Sequence, residues 1–431
     1  MSETSPRDVG GALSPGIAAL APFRSRSFRF QWPADLCTAW ALEMETLILG
    51  WYVLVETGSV TLLTVFGALQ YVGTLISPFI GTMADRLGLR TVLAAMRTAY
   101  AVFALVILTL VLTGHINPYA VLAVSALSGL IKPTDIGLRS ALVGATVPPA
   151  HFAAAMGISR TTMDSAKACG ALAGAGFMAM FGMGPAYMAI TLIYIAGVLL
   201  TLKTDGGAGR PLPAAPGESR SPASSPWLDL KEGMAYVWRT PRLLAAMGLA
   251  ALVNLTAYPF SHGLMPYIAR NVFDLDQRGL GFMVASFACG SLIGSLTVSV
   301  LGPRLRPARS MLIACVVWFI ALLGFALSTH VALALILLVC AGIAQSMSML
   351  TLSILLLRTS ERRFHGRIMG VRMLAIYTLP MGLLIAGALI PRIGYQGTSV
   401  SLVLAGLMLT VILAVTWRRD LLPRDAVGNS R

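Results

Sequence analysis

The sequence predicts an all-α integral membrane protein of twelve transmembrane helices in two six-helix bundles, and three observations carry that prediction. Only 12% of the 431 residues are charged while 56% are hydrophobic. A soluble domain has roughly 25% charged residues, so too little polar surface is left here to face water on all sides. The apolar residues come in blocks long enough for a helix to cross a hydrocarbon core of about 30 Å. The blocks also lack the alternation of a barrel strand. In hydrocarbon every backbone N–H and C=O must bond internally, so helices are the remaining solution.

The first six spans fall near 33–55, 59–82, 91–113, 118–143, 152–181 and 185–203. The second six fall near 243–268, 279–301, 309–328, 331–357, 366–390 and 397–417. Residues 1–30 are rich in Ser, Pro and Arg and lack the short apolar core of a cleavable signal, so they read as a soluble tail. Residues 204–226 are rich in Pro, Gly and Ser and read as a linker. The stretch from Trp227 to Trp238 is amphipathic and is expected to lie along the membrane surface. The organisation is a tail over 1–30, a bundle over 31–203, a linker over 204–242, a second bundle over 243–417 and a tail over 418–431.

Six spans, a polar linker and six more suggest a duplicated unit. Met156-Gly157-Ile158 at the start of span 5 has a counterpart in Met369-Gly370-Val371 at the start of span 11. Parallel repeats about an axis normal to the membrane are a transporter architecture.

The formal charge of +14 invites a nucleic-acid reading, but the placement of the charges excludes it. Most of the 32 Lys and Arg residues lie on one side: in both tails, in the linker, and in the loops between spans 2 and 3, 8 and 9, and 10 and 11. Arg97 is counted in that first loop. The other side holds Arg270, Arg278 and Arg392. Positive flanks favour the cytoplasm, so both termini are expected inside a plasma (inner) membrane. Cys37, Cys169, Cys289, Cys315 and Cys340 lie singly inside apolar blocks, which argues against disulfides, a redox pair or a metal site. No nucleophile–base pair or phosphate loop is present either, so neither an enzyme nor a bound cofactor is expected.

After span 2 the sequence reads Gly81-Thr82-Met83-Ala84-Asp85-Arg86-Leu87-Gly88-Leu89-Arg90. This resembles the loop 2–3 signature of the major facilitator superfamily, with Leu89 departing at one basic position. The equivalent site after span 8, Gly302-Pro303-Arg304-Leu305-Arg306, keeps the basic character and lacks the Asp. Other segments resemble the branch that includes the enterobactin exporter and related drug-efflux proteins. They are Trp51 to Ser59, Arg139-Ser140-Ala141-Leu142-Val143 with Val147-Pro148 beyond it, and Glu232-Gly233 before span 7. The resemblance covers residues from about 25 to 420. It implies alternating access around a midplane cavity. It also implies a gating motif of Gly81, Asp85, Arg86, Gly88 and Arg90, in which Asp85 latches onto the partly positive N-terminus of span 11 near His365.

Charges inside the spans are the best functional candidates, since a charge at the bilayer centre costs at least about 2.5–3.5 kcal/mol. Span 1 carries Glu43 and Glu45. Two residues apart is roughly 200° around a helix, so one lumen cannot easily receive both; the resembling branch has an acidic residue within a position of Glu43. Desolvation favours the protonated form of a carboxylate, which makes these groups candidate proton carriers. Permanent pairing with a basic neighbour is the competing account.

Span 4 carries Lys132, Asp135 and Arg139, and span 5 carries Arg160, Asp164 and Lys167. Spacings of three and four put each pair on one helix face, so the two faces are expected to interlock as a charge network. Such a network is either scaffold or a switch in which Asp135 or Asp164 releases its partner on protonation. In the second half, Asn254, Tyr258 and His262 form a stripe on span 7, with Gln345 on span 10 and Arg372 and Tyr377 on span 11. These are the expected substrate-cavity residues. Arg372 is the one basic charge inside that half, so it would attract an anionic substrate group, while pairing with a span 1 carboxylate is the alternative. Gly170 and Gly174 in span 5, and Gly290 and Gly294 in span 8, permit close helix approach; the resemblance places these two helices against each other between the halves.

The reading is a monomeric secondary transporter in the lipid bilayer: a proton-coupled antiporter that drives efflux of a small amphipathic, drug- or siderophore-like molecule. A proton-coupled importer of a metabolite, or a receptor or assembly factor on the same fold, are the alternatives.

Overall fold

The computed structural model describes residues 21–75, 83–84, 87–205, 226–301, 305–361 and 364–418. Those residues are almost wholly helical, and no strand occurs among them. The N-terminal half contains α1 (Arg26–Thr57), α2 (Val60–Leu69), α3 (Leu89–Leu112), α4 (Pro118–Thr146), α5 (Pro149–Phe181) and α6 (Met183–Leu202). A short helix, α7 (Pro226–Arg239), precedes the C-terminal half. That half contains α8 (Pro241–Thr256), α9 (Gln277–Leu301), α10 (Pro307–Leu327), α11 (Val331–Thr359), α12 (His365–Ile376) and α13 (Thr378–Thr416). Eight helical segments are long and apolar enough to cross a membrane, and α2 and α8 are shorter apolar helices.

Local chemistry sets the boundaries. Gly58 closes α1 in the left-handed region (φ 62°), its N–H bonding the Leu54 carbonyl; only Gly adopts that conformation without strain. Ser59 caps α2 by accepting from the Leu62 N–H, and Asn117 caps α4 by accepting from the Ala120 N–H at 2.8 Å. Pro259 follows the end of α8, and the chain then continues as short turns from Tyr258 to Val272. At Gly394 the φ of 75° breaks α13 into two pieces. A straight helix of its 39 residues would be about 58 Å long, nearly twice a bilayer core.

The start of α1 differs from the hydropathy reading. It begins at Arg26 rather than near 33, and Phe28 and Gln31 are fully buried. Hydropathy averages miss this extension because Arg26, Arg29 and Gln31 dilute the apolar signal.

Within each half the helices pack on one another, and large apolar side chains such as Leu105, Ile313, Ile320, Ile336 and Met408 remain exposed on the outside. That outer apolar surface is what hydrocarbon requires. The halves meet through α5 against α9 and α2 against α13. Thr61 donates to the Gly387 carbonyl at 3.0 Å and Arg270 donates to the Leu54 carbonyl at 3.3 Å. A Cβ added at Gly281 would sit 2.6 Å from the Ala175 Cβ. These contacts cluster at the end of the molecule where α1 turns into α2, here termed the hairpin end. At the opposite end, which carries α7, Gly157, Arg160 and Thr161 of α5 are exposed. A Cβ added there at Gly157, Gly366 or Gly370 would meet nothing within 4 Å. Among the described residues, the contacts named between the halves lie at the hairpin end, while these positions of α5 and α12 stand unobstructed at the α7 end.

The glycine pairs do not form the seam between the halves. Gly170 and Gly174 of α5 abut Trp40, Glu43 and Met44 of α1, and Gly290 and Gly294 of α9 abut Val339 and Ile343 of α11. Close approach is used inside each half, while Gly281, Ala175 and Ala171 make the contact between α5 and α9.

Candidate functional site

The site is built up α1, three of whose four carboxylates, Asp35, Glu43 and Glu45, lie within the span. Asp35 is buried in the N-terminal half, paired with Arg97 of α3 and 3.8 Å from the Arg139 Nε of α4. Arg97 also donates to the Thr201 hydroxyl of α6. Arg139 pairs with Asp135 one turn earlier, and Gln31 donates to the Arg139 carbonyl at 3.0 Å. Four helices are tied together by two buried arginines and two buried aspartates. Asp35 and Arg97 were not singled out from the sequence. The flank count placed Arg97 in a loop, whereas it lies two turns inside α3 and is 1% exposed. A polar residue four positions before Asp35 (Gln31) was the available signal.

Two turns further along α1 the carboxylates diverge. Glu45 turns into the N-terminal half and accepts a hydrogen bond from the Tyr194 hydroxyl of α6 at 2.8 Å. Glu43 is half-buried and within electrostatic reach of Lys132 and Tyr71. Lys132 donates to Gln70 at 2.7 Å and to Thr46 at 3.4 Å.

The basic and acidic faces of α4 and α5 do not interlock. Arg160 bonds Asp164 within α5 at 3.1 Å, and Asp135 bonds Arg139 within α4. Across the two helices, among the described residues, Arg139 reaches only the Met163 sulfur, at 3.4 Å. The expected Asp164–Lys167 pair does not form; Lys167 makes no ion pair among the described residues and lies within electrostatic reach of Lys132 and His262.

In the C-terminal half, Asn254 is buried and donates back to the Ala250 carbonyl at 2.8 Å. The helix ends two residues later, so Asn254, Tyr258 and His262 do not share one continuous helix face. Tyr258 accepts from the Gln345 amide at 2.6 Å, and Ser291 donates to the other end of that amide at 3.3 Å. Tyr258 packs edge-on against Trp318 at 5.1 Å, and His262 contacts Ser261 through Nδ1 at 3.0 Å. Arg372 donates to the Ser353 hydroxyl at 2.6 Å. Tyr377 sits at the junction of α12 and α13.

Tyr258 lies within electrostatic reach of Tyr71 and Arg160, and His262 of Lys132 and Lys167. Polar groups of the two halves therefore act on one another electrostatically. Of the gating motif, Gly81, Asp85 and Arg86 lie outside the described residues. Gly88 precedes α3 with φ 89°, and Arg90 donates to the Leu202 carbonyl of α6 at 2.6 Å. At the start of α12, Arg367 bonds Glu232 of α7 at 2.9 Å, and Phe364 stacks on Tyr236 with centroids 4.3 Å apart.

The sequence profile of the Major Facilitator Superfamily matches residues 34–381 and again 247–430. The chain belongs to the major facilitator superfamily. Among characterised members it is 26% identical over 393 residues to the multidrug efflux pump Tap of Mycolicibacterium fortuitum, covering 84% of this chain and 88% of that one. Superfamily folds match as well. A bacterial homolog of the human lysosomal transporter Spinster, inward-facing and unoccupied, superposes with a TM-score of 0.64 at 14% identity, covering 92% of this chain and 95% of that one. The nucleoside transporter NupG gives 0.65 at 15% identity, covering 91% and 98%. A POT family transporter in complex with a thioalcohol-conjugated peptide gives 0.71 at 12% identity, covering 92% and 97%. This member of the superfamily is a multi-pass membrane transporter and not an enzyme.

Proposed function

We propose that the chain is a proton-coupled exporter of small amphipathic molecules in the plasma membrane. It crosses the membrane twelve times as a monomer with both termini in the cytoplasm. The observation that carries this reading is the 26% identity, over most of both chains, to a multidrug efflux pump. The excess of Lys and Arg in the tails and linker supports a cytoplasmic α7 end. The contacts at the hairpin end then correspond to an inward-open state in which substrate is loaded from the cytoplasm.

In this scheme Glu43 is the proton carrier, because it is half-buried and within electrostatic reach of Lys132, whereas Glu45 is buried and held by Tyr194. Glu45, held by Tyr194, and the Asp35–Arg97–Arg139–Asp135 group serve as the rigid scaffold around Glu43. Tyr258, His262, Gln345 and Arg372 line the substrate space from the other half. Asp85 latches onto the start of α12 when the cytoplasmic end closes.

The test is reconstitution in proteoliposomes with an imposed pH gradient, using compounds to which a deletion strain becomes sensitive. Proton flux opposite to substrate flux is expected. Flux in the same direction replaces the exporter with an importer, and the absence of flux with every such compound overturns transport.

A further inference from the structure

The two faces of the short helix α7 meet different surroundings. The inner face lies flat on the start of α12. An added Cβ at Gly233 would stand 3.1 Å from both the Cβ and the carbonyl oxygen of Arg367, and 3.2 Å from a Val371 methyl. Val237, one turn further along, is 1% exposed. Glu232 bonds Arg367 at 2.9 Å, Tyr236 stacks on Phe364 with ring planes 14° apart, and the Glu361 N–H donates to the Tyr236 hydroxyl at 3.4 Å. The Arg367 guanidinium also sits 5.5 Å from the Phe364 ring centroid. An ion pair, a ring stack and a close glycine contact thus fasten α7 to the first turns of α12.

The outer face carries a different set of side chains. Lys231 and Trp238 are seven residues apart, and Met234 and Trp238 four, so they share one side of the helix. Trp238 is 70% exposed and Met234 38%. Lys231 and Arg239 beside them are exposed and form no ion pair among the described residues. Glu232, the neighbouring acidic group, is taken by Arg367. A large amphipathic ring therefore stands between two cations, uncovered by the described chain.

The level of α7 in the membrane selects the partner. Thr240 alone separates α7 from the apolar helix α8, so Trp238 stands just before that helix begins. The inner face meets residues 364–371, where α12 begins. Two apolar helix starts thus set α7 at the boundary between water and hydrocarbon, where Trp is favoured. There an anionic headgroup neutralises Lys231 and Arg239 while the indole and the thioether enter the acyl boundary. A neutral headgroup supplies the second interaction without the first.

We propose that the outer face of α7 is a docking surface for anionic phospholipids, and that lipid held there fixes the start of α12 through the Glu232–Arg367 and Tyr236–Phe364 contacts. The surface is independent of what the chain transports and in which direction. Rocking of the C-terminal half must carry α7 with it, so lipid held under Trp238 resists that movement.

The test uses the full-length protein in phosphatidylcholine vesicles. An equal fraction of the lipid is replaced by dibrominated phosphatidylglycerol or by dibrominated phosphatidylcholine, whose bromines quench nearby indoles. The difference between the wild type and Trp238→Phe isolates Trp238. Quenching by the anionic lipid is expected to exceed that by the neutral one about twofold or more, since each cation near the surface favours anionic headgroups. Lys231→Gln with Arg239→Gln abolishes the excess and leaves the neutral quenching. Equal quenching by the two lipids, an excess that survives the double change, or no quenching of Trp238 by either overturns the surface. Should that variant not fold, salt decides on the wild type: the excess falls from low to high ionic strength, and an unchanged excess overturns the surface. The link to α12 is read from hydrogen exchange of the amides of residues 366–372 in nanodiscs with and without phosphatidylglycerol. Exchange is expected to slow about twofold or more with the anionic lipid, and Glu232→Gln with Tyr236→Leu abolishes the slowing. Equal exchange in both lipids, or slowing that outlasts the severed contacts, overturns the link.

Discussion

Arg97 on α3 and Asp35 on α1 form an ion pair sealed inside the N-terminal half, with side chains 1% and 10% exposed. Both side chains are largely withdrawn from water; Asp35 also lies 3.8 Å from Arg139 of α4, and Arg97 also donates to Thr201 of α6. Leaving one of the two charges alone in that environment costs far more than the pair itself contributes.

Asp35→Asn is therefore expected to lower stability by about 3–5 kcal/mol, read from denaturant or thermal unfolding in micelles. Removing both charges, as in Asp35→Leu with Arg97→Met, is expected to cost less than the sum of the single changes. Strict additivity of the two would show that they do not act as a pair.

The carboxylates of α1 should separate by role. Glu45→Gln and Tyr194→Phe each disturb one buried hydrogen bond and are expected to lower stability by about 0.5–1.5 kcal/mol, with transport largely kept. Glu43→Gln is expected to fold normally and lose at least about tenfold in gradient-driven transport, equivalent to about 1.4 kcal/mol in the barrier. Equal transport losses for Glu43→Gln and Glu45→Gln would remove the distinction.

Gly281 leaves no room for a side chain against Ala175, since an added Cβ would stand 2.6 Å from its neighbour. Gly281→Val should wedge α5 from α9 at the hairpin end at a cost of about 1–3 kcal/mol to the observed state. That shifts the balance of conformations by roughly 5–150-fold toward opening at the hairpin end. Labelling of a cysteine placed at Thr161, exposed at the α7 end, should slow accordingly; faster labelling contradicts the proposed seam.

Arg270 reaches the Leu54 carbonyl, in the last turn of α1, at 3.3 Å. A cation at a helix C-terminus stabilises by about 0.3–1 kcal/mol. Arg270→Ala should make the same Thr161 reporter label about two- to fivefold more slowly, and Arg270→Lys should retain part of the effect. A faster rate in Arg270→Ala would show that the contact opposes the observed state.

The sequence by itself determined the class of molecule. Mean hydropathy, block length and the sidedness of Lys and Arg accumulate along the chain, so they can be read without knowing any contact. The loop 2–3 signature added the superfamily for the same reason, since it is a local string. The short charged pairs Asp135–Arg139 and Arg160–Asp164 were also legible, because a helix brings residues four apart together whatever surrounds it.

Only the tertiary structure decided where each charge points. Glu43 and Glu45 differ because Tyr194 of α6 waits on one side of α1, a fact held by a helix about 150 residues away in the chain. Arg97 looked like a loop residue until Asp35 and Thr201 gave it partners from two other helices. The glycine pairs of α5 and α9 signalled close packing, yet the partners proved to be α1 and α11, and the seam between the halves fell to Gly281. Spacing fixes which residues share a helix face; which neighbour that face meets is set by how helices distant in sequence pack, and no local pattern records it.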